Sequence, residues 1–328
     1  MRTLLLPLSC MVGACQLEYG YLSDLEAPGS PGVADTGELV EDVFVQAVQH
    51  ATDVLFVVDN SRSMEDEQAR LGANFEAFLD VLLESDTDFH VGVVSTDMEA
   101  PDQSGRLQEA GGYRWIEPST PDPERWFAQM VALGIDGSRD ERGRDAAYQA
   151  IAVLGDTANA GFVREDAGLH IIVVSDEDDA STLVTVDAFA AYLQALETEG
   201  RETSFSSVVG PEQARLDRNR TCALEYGARY VAVTDTVGGT VTSICDADWS
   251  EALTVLGETA SGLRTRFTLS DVPDPDTIVV TIVLAATTLR LESGTGTFLY
   301  DAETNTVTLM HVVPPDGSVI RIRYRPAA

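Results

Sequence analysis

The stretch that decides the fold is Asp53-Val-Leu-Phe-Val-Val-Asp-Asn-Ser-Arg-Ser-Met64. Its apolar run, Val54 to Val58, is short and continuous, which is typical of a parallel strand buried on both faces of its sheet. Asp59, Ser61 and Ser63 follow at alternate positions, in the turn that leaves the strand. One carboxylate and two hydroxyls in such a turn can converge on one point, and oxygen-only ligands suit hard cations such as Mg²⁺, Mn²⁺ and Ca²⁺.

Taken alone, this spacing is compatible with a structural role as well as with a metal site. Acidic and hydroxyl residues are common in turns and at helix N-termini, so Ser63 could simply cap the next helix. That helix is predicted over residues 64–83, where apolar side chains recur at helical spacing.

A second buried strand supplies the context that favours a metal site. Leu169-His-Ile-Ile-Val-Val174 has the pattern of another strand buried on both faces, and Asp176 follows its end. The carboxyl ends of parallel strands lie along one edge of a sheet, where connections that change direction create binding crevices. We therefore expect Asp176 at the same edge as Asp59.

The remaining pattern up to about residue 264 alternates between strand and helix. Such alternation predicts an α/β protein with a doubly wound, mostly parallel sheet that is covered by helices on both faces. The further strands are predicted at residues 91–94, 113–116, 204–209 and 230–233, and the further helices at residues 126–133, 144–154, 186–197 and 249–256.

The last part of the chain has a different pattern. After residue 263 no helical period persists, and turn formers such as those of Pro314-Pro-Asp-Gly317 separate short strand-like segments. Strands are predicted at 298–300, 306–309 and 319–324. Residues 265–328 are therefore predicted to form a small antiparallel β module.

The first residues have the pattern of an export signal. Arg2 precedes a short apolar run, and Val12-Gly-Ala-Cys15 resembles the lipobox of bacterial lipoproteins, whose Cys is lipidated. We expect residues 1–15 to be a signal peptide with Cys15 as the lipidated residue, and the acidic, Gly- and Pro-containing residues 16–47 to be a flexible tether. By resemblance to known sorting rules, Gln16 points to the outer membrane. The predicted location is therefore the cell envelope, with the lipid as the membrane anchor.

Replacing Cys15 with Ser is expected to move the protein from the membrane fraction to the soluble fraction. Several acyl chains hold a lipoprotein stably, because each buried CH₂ contributes about 0.8 kcal/mol. Fractionation of cells that carry the wild-type and variant proteins measures the change. Equal membrane retention of the two would contradict the lipid anchor.

Charge excludes one class of partner. The formal net charge is −33, and all 21 basic residues are Arg. Nucleic-acid binding needs a basic face to neutralise phosphates, so we exclude it. The acidity favours divalent cations, but it could equally reflect the composition bias of the source organism.

Cys222 and Cys245 are the cysteines that follow the predicted lipidation site. Export implies an oxidising compartment, so we expect these two residues to form a disulfide. In the chain-entropy model, a loop of roughly twenty residues closed in this way contributes about 3 kcal/mol.

The motifs together resemble the metal-ion-dependent adhesion site of von Willebrand factor type A domains. The stretch from Asp53 to Met64 is similar to that family's first motif, and Asp176 matches its last aspartate. The resemblance covers about residues 48–264. It implies a Rossmann-like fold and a metal site in which Asp59, Ser61, Ser63 and Asp176 are ligands.

The family's middle ligand is a Thr, and this sequence has none at that place. In the loop of residues 134–143, Ser138 stands at the equivalent offset before Gly143. We take Ser138 as the expected ligand, with Asp136 and Asp140 as competitors for the role.

A subgroup of exported Gram-negative lipoproteins with this domain is also similar to the chain. The similarity extends to the β segment after residue 263 and to four short stretches: Val43-Phe-Val-Gln46, Ser175-Asp-Glu-Asp-Asp179, Gly227-Ala-Arg-Tyr230 and Ser243-Ile-Cys-Asp246.

The resemblance implies a non-enzymatic adhesion module. In the family, the metal keeps one coordination position free for a carboxylate from a protein or surface partner, and Mg²⁺ is the first expectation here, with Mn²⁺ or Ca²⁺ as alternatives. Two other functions stay open: an envelope protein in which the metal only stabilises the fold, and a metal-dependent hydrolase. No dedicated general base or second metal site is evident for hydrolysis.

Overall fold

The computed structural model describes residues 39–327 except 47–49, 198–201, 213–224, 265, 286, 295, 303–304, 310–311 and 313. The described chain is a mixed α/β structure with one parallel sheet, two antiparallel sheets and helices. The predicted signal peptide, Cys15, Gln16 and Cys222 lie outside the described residues.

The parallel sheet confirms the α/β class predicted from alternating strands and helices. Its five strands are β2 (Ala51–Val58), β3 (Asp88–Ser95), β4 (Gly168–Ser175), β5 (Thr203–Val209) and β6 (Val241–Ser243). They lie in the order β3-β2-β4-β5-β6, and every neighbouring pair is parallel.

Helices cover both faces of this sheet. Successive side chains of β2 point to opposite faces and enter two separate cores. Val54, Phe56 and Val58 belong to one apolar core, and Leu55 and Val57 belong to another. The helices are α1 (Glu65–Glu84), α2 (Pro123–Val131), α3 (Gly143–Tyr148), α4 (Val186–Leu196), α5 (Ala228–Val237) and α6 (Trp249–Ala260). The first core is packed by α1, α2 and α6, and the second by α3, α4 and α5.

The antiparallel sheets share a third apolar core. Their strands are β1 (Val40–Val45), β7 (Arg266–Thr268), β8 (Val279–Leu284), β9 (Thr287–Glu292), β10 (Phe298–Asp301), β11 (Thr306–Leu309) and β12 (Val319–Tyr324). One sheet has the order β1-β12-β8-β9 and the other has the order β10-β11-β7.

Strand β1 lies inside the segment that the sequence analysis assigns to the tether. Val40 to Val45 pairs antiparallel with β12, and Phe44 packs on Phe267 with ring centroids 5.0 Å apart. The tether predicted over residues 16–47 therefore extends too far. The β module contains residues that precede the parallel sheet in the sequence as well as residues that follow it.

Two predicted strands of the α/β part are wrong. Residues 230–233 belong to helix α5, because the buried side chains Tyr230, Val233 and Thr234 recur at helical spacing. Residues 113–116 form only isolated bridges, in which Ile116 pairs with Val91 of the edge strand β3.

Cys245 is disulfide-bonded, as the sequence analysis expects; its predicted partner Cys222 is not among the described residues. Among the described residues, the helices lack the combination of length and apolar composition that a membrane-spanning segment needs.

Candidate metal centre

The site lies where the connections of the parallel sheet change direction. Strand β2 pairs with β3 on one side and with β4 on the other, so the chain leaves the two central strands toward opposite edges. A crevice opens at the carboxyl ends of such strands. Asp59 follows β2 and Asp176 follows β4, and the Asp59 N–H donates to the carbonyl of Val174 at 3.0 Å.

The predicted ligands of the first loop are joined to Asp176 by hydrogen bonds. The Ser61 N–H donates to Asp59 Oδ1 at 2.7 Å, the hydroxyls of Ser61 and Ser63 lie 3.2 Å apart, and Ser63 Oγ donates to Asp176 Oδ1 at 3.1 Å. Four of the predicted site residues therefore form one continuous cluster.

The geometry of Ser63 bears on the alternative that this residue caps a helix. The short helical turn Arg62–Met64 and helix α1 both begin without a side-chain capping hydrogen bond. Ser63 Oγ bonds Asp176 instead, on a loop 113 residues further along the chain. Ser63 is exposed, whereas Asp59 is fully buried and Asp176 is 4 % exposed, so the cluster opens to solvent at Ser63.

The expected third-loop ligand, Ser138, makes its hydrogen bonds to residues outside this cluster. Ser138 Oγ accepts the N–H of Asp140 at 3.1 Å, and the Ser138 N–H donates to Asp97 at 3.3 Å. Asp136 and Asp140 are exposed. Glu141, which the sequence analysis did not select, is 1 % exposed and reaches the carboxyl group of Asp59.

In the sequence, the position of Glu141 in the third loop is the only feature that could have marked it as a candidate site residue. Within residues 134–143 the resemblance favours Ser138, with Asp136 and Asp140 as competitors, because the family ligand is a Thr. A Glu just before a helix is usually explained by the favourable helix dipole, so its residue type carried no signal.

Polar side chains behind the cluster hold the loops together. Gln68 Nε2 donates to the backbone carbonyls of Asp59 at 3.0 Å and Gly134 at 2.9 Å. Ser175 Oγ donates to Asp59 Oδ2 at 2.7 Å. The Gly137 N–H donates to the carbonyl of Asn60 at 3.0 Å. These bonds fix the first and third loops against each other before any ligand binds.

Burial raises the pKa of four carboxyl groups in the centre, and repulsion from neighbouring carboxylates adds to the shift for Glu67, Glu141 and Asp176. Burial raises the pKa of Asp176 to about 7, with Asp59 adding repulsion. Burial raises the pKa of Glu141 to about 9, again with repulsion from Asp59. Burial also raises the pKa of Asp59 and of Glu67. A cation at this point would relieve the repulsion that the shifts report.

The donor set suits a hard cation that accepts hydroxyl ligands. In the described part of the chain, no three His, Cys, Asp or Glu side chains are placed to hold a metal by themselves. The residues that hydrogen bonds join into the cluster offer two carboxylates and two hydroxyls, and all of these donors are oxygens. Such donors suit Mg²⁺, Mn²⁺ or Ca²⁺ and disfavour the soft metals that prefer sulfur.

The stability of the metal-free protein is expected to fall as the pH rises from 5 to 9. Glu141 and Asp176 have folded-state pKa values of about 9 and about 7, above those of an unfolded chain, so the folded state binds more protons in this window. The free energy of unfolding then decreases with pH, by up to about 1.4 kcal/mol per pH unit for Glu141 across this window and for Asp176 only up to about pH 7.

Denaturant titrations at several pH values, with chelator and with saturating cation, measure this slope. Bound cation stabilises the ionised carboxylates, so the decrease should be smaller or absent with metal. A metal-free protein whose stability rises between pH 5 and 9 would contradict the charge arrangement.

Comparisons with known proteins give limited similarity. No family model matches the chain, and no curated protein is significantly similar to it. Among solved structures, the pilus adhesin SpaC from Lactobacillus rhamnosus GG is 12 % identical with a TM-score of 0.39, and the match covers 89 % of this chain and 42 % of that one. The open conformation of SpaC is 11 % identical with a TM-score of 0.38, covering 89 % and 41 %.

A third solved structure, proximal thread matrix protein 1 from the mussel byssus, is 14 % identical with a TM-score of 0.36, covering 67 % of this chain and 48 % of that one. The chain thus spans less than half the length of each of these structures. At these scores, the similarities carry no argument about function.

Proposed function

We propose that this chain is a von Willebrand factor type A-like binding module that holds a partner through a divalent cation. The observation that carries the proposal is the cluster of Asp59, Ser61, Ser63 and Asp176 at the direction change of the parallel sheet. Its residue types and order along the chain are those that the resemblance implies for an adhesion site.

The exposure pattern supports a binding site over a closed structural site. Asp59 and Asp176 are buried at the base of the cluster, whereas Ser63 is exposed at its mouth. A cation held there has its charged ligands on the protein side and its accessible side toward solvent. The partner chemistry we propose is a carboxylate from a protein or surface ligand, since hard cations accept further oxygen donors.

We further propose that the module acts at the cell envelope, anchored by lipid at Cys15. The net charge of −33 supports a partner other than nucleic acid. No residue of the cluster is assigned a catalytic role in this proposal.

Calorimetry with Mg²⁺, Mn²⁺ and Ca²⁺ is the first test, and the protein should bind at least one of them. A pull-down from envelope extract, with cation or with chelator, is the second. A partner retained only with cation, and released by millimolar acetate or an acidic peptide, is the expected result. Cation binding with a partner that is retained equally under chelator would leave the metal in a structural role.

A further inference from the structure

The proposed site does not account for the side chain of Glu141. It is 1 % exposed, one of its carboxyl oxygens accepts the hydroxyl of Thr96, and the other has no hydrogen-bond partner. The carboxyl group of Asp59 lies within hydrogen-bonding range of it. The oxygen without a donor therefore belongs to a buried carboxyl group that neighbours Asp59 of the cluster.

Three other buried acids of this protein, Asp53, Asp145 and Asp179, have an arginine beside them. Arg164 Nε lies 2.8 Å from Asp53, Arg142 lies 2.6 Å from Asp145, and Arg144 lies 2.6 Å from Asp179. The structure gives Glu141 a hydroxyl and two neighbouring carboxylates, Asp59 and Glu177. A buried carboxylate that faces other carboxylates is costly unless a positive charge is added.

We propose that Glu141 is the third-loop ligand of the bound cation, in place of the hydroxyl that the family supplies there. The inference rests on the proposed metal site and deepens it. As they stand, Asp59, Asp176 and Glu141 are not gathered around a single point. A cation replaces the contact between the carboxyl groups of Asp59 and Glu141 with a shared positive charge.

Neighbouring contacts hold Glu141 in position for this role. Its backbone carbonyl accepts the N–H of Ala180 at 2.6 Å, which joins it to the loop that carries Asp176. The N–H of Arg142 donates to the carbonyl of Thr96 at 3.3 Å. The third loop is thereby fastened at residue 141, whereas Ser138 makes its bonds with Asp97 and Asp140.

A third carboxylate changes which cation the site prefers. Mg²⁺ keeps several waters and takes one or two carboxylates, whereas Ca²⁺ accepts six to eight oxygens and tolerates bidentate carboxylates. With Asp59, Asp176 and Glu141 as well as two hydroxyls, the site offers more charged oxygen than Mg²⁺ uses. We therefore expect Ca²⁺ to bind more tightly than Mg²⁺.

The test compares Glu141→Gln with two matched variants in the full chain. Glu67→Gln removes the same charge from a buried residue near Asp59 and Asp176, and Ser138→Ala removes the alternative third-loop ligand. Calorimetry with Ca²⁺ and with Mg²⁺ gives the affinities. The luminescence lifetime of bound Eu³⁺ in H₂O and D₂O gives the number of waters on the ion.

For Glu141→Gln, we expect Ca²⁺ affinity to fall by about 100-fold, since changes to outer-shell partners alone cost about 10- to 100-fold. The Eu³⁺ ion should gain about one or two waters, for a lost monodentate or bidentate carboxylate. Glu67→Gln and Ser138→Ala should leave the water count unchanged. A melting temperature of metal-free Glu141→Gln at or above that of the wild type verifies that the variant folds.

The results separate this inference from the proposed site. A wild-type protein that binds neither Ca²⁺, Mg²⁺ nor Eu³⁺ overturns both. A wild type that binds, with an unchanged water count in Glu141→Gln, overturns the ligand assignment and leaves the proposed site standing. If the bound Eu³⁺ gains water in Ser138→Ala alone, Ser138 is the third-loop ligand, and the assignment of Glu141 is overturned.

Discussion

Asp59→Ala is expected to abolish divalent-cation binding while the protein stays folded. Asp59 is fully buried at the centre of the cluster, where it contacts the Ser61 N–H and the Ser175 hydroxyl, and it lies beside Glu141. Removing it takes away the carboxylate that both the first and third loops approach.

The fold should survive this change because two effects on stability oppose each other. Loss of Asp59 leaves the Ser61 N–H and the Ser175 hydroxyl without an acceptor, which costs about 1–3 kcal/mol for each buried donor. It also removes a charge that raises the pKa of Glu141 and Asp176 by repulsion. The backbone bond from the N–H of residue 59 to Val174 is kept.

Calorimetry with Mg²⁺ and Ca²⁺, together with thermal unfolding, measures both parts of the prediction. At 100 times the dissociation constant, a cation stabilises the wild type by about 2.7 kcal/mol and should leave the variant unchanged. Asp80→Ala is the control, since it removes an equal charge from the exposed side of helix α1. Undiminished cation affinity in Asp59→Ala would contradict the assignment of this cluster as the metal site.

Asp179→Asn is expected to lower the free energy of unfolding by about 3–5 kcal/mol, which is the usual cost of breaking a buried ion pair. Asp179 is 1 % exposed and lies 2.6 Å from Arg144, which is 3 % exposed. The two facing atoms meet the distance of an ion pair without an aligned hydrogen bond, so charge holds the pair. Arg144 cannot lose its proton, and the change leaves it buried and uncompensated.

The same pair positions the loop that carries Asp176. Arg144 also donates to the backbone carbonyls of Val184 at 3.0 Å and Ser181 at 3.1 Å. Helix α3 thereby holds the segment that follows Asp176. We therefore expect Asp179→Asn to weaken cation binding as well as stability.

Denaturant unfolding at constant pH measures the loss, with Asp178→Asn as the control. Asp178 pairs with Arg229, which is mostly exposed, so its loss should cost about 1 kcal/mol or less. The double variant Arg144→Met, Asp179→Leu replaces both charges with apolar groups and should recover most of the stability. An Asp179→Asn protein as stable as Asp178→Asn would show that the buried pair is dispensable.

The sequence alone determined the parts of the fold that depend on local pattern. The apolar runs of residues 54–58 and 169–174 are buried parallel strands, and the three β-module strands predicted after residue 297 are present. The juxtaposition of Asp59 and Asp176 was also predictable, because parallel strands bring their carboxyl ends to one edge of the sheet.

Local pattern was insufficient to predict secondary structure wherever a segment packs against or pairs with residues that are distant in the chain. Residues 230–233 are a short apolar run that the sequence analysis predicts as a strand, but the helix is favoured because Tyr230 and Val233 pack on one face. Val40 to Val45 lies in a segment whose composition predicts a tether. It is a strand because β12, about 280 residues later, provides the backbone hydrogen bonds that it lacks alone.

The chemistry of the third loop was decided only by the tertiary structure. Spacing within residues 134–143 selected Ser138, because the hydroxyl offset before Gly143 is a feature of the chain alone. Burial of Glu141 against Asp59 depends on how the loop between α2 and α3 packs on the carboxyl ends of β2 and β3. A carboxylate that is ordinary in a solvated loop becomes a metal-ligand candidate once packing removes its water and places it beside another acid.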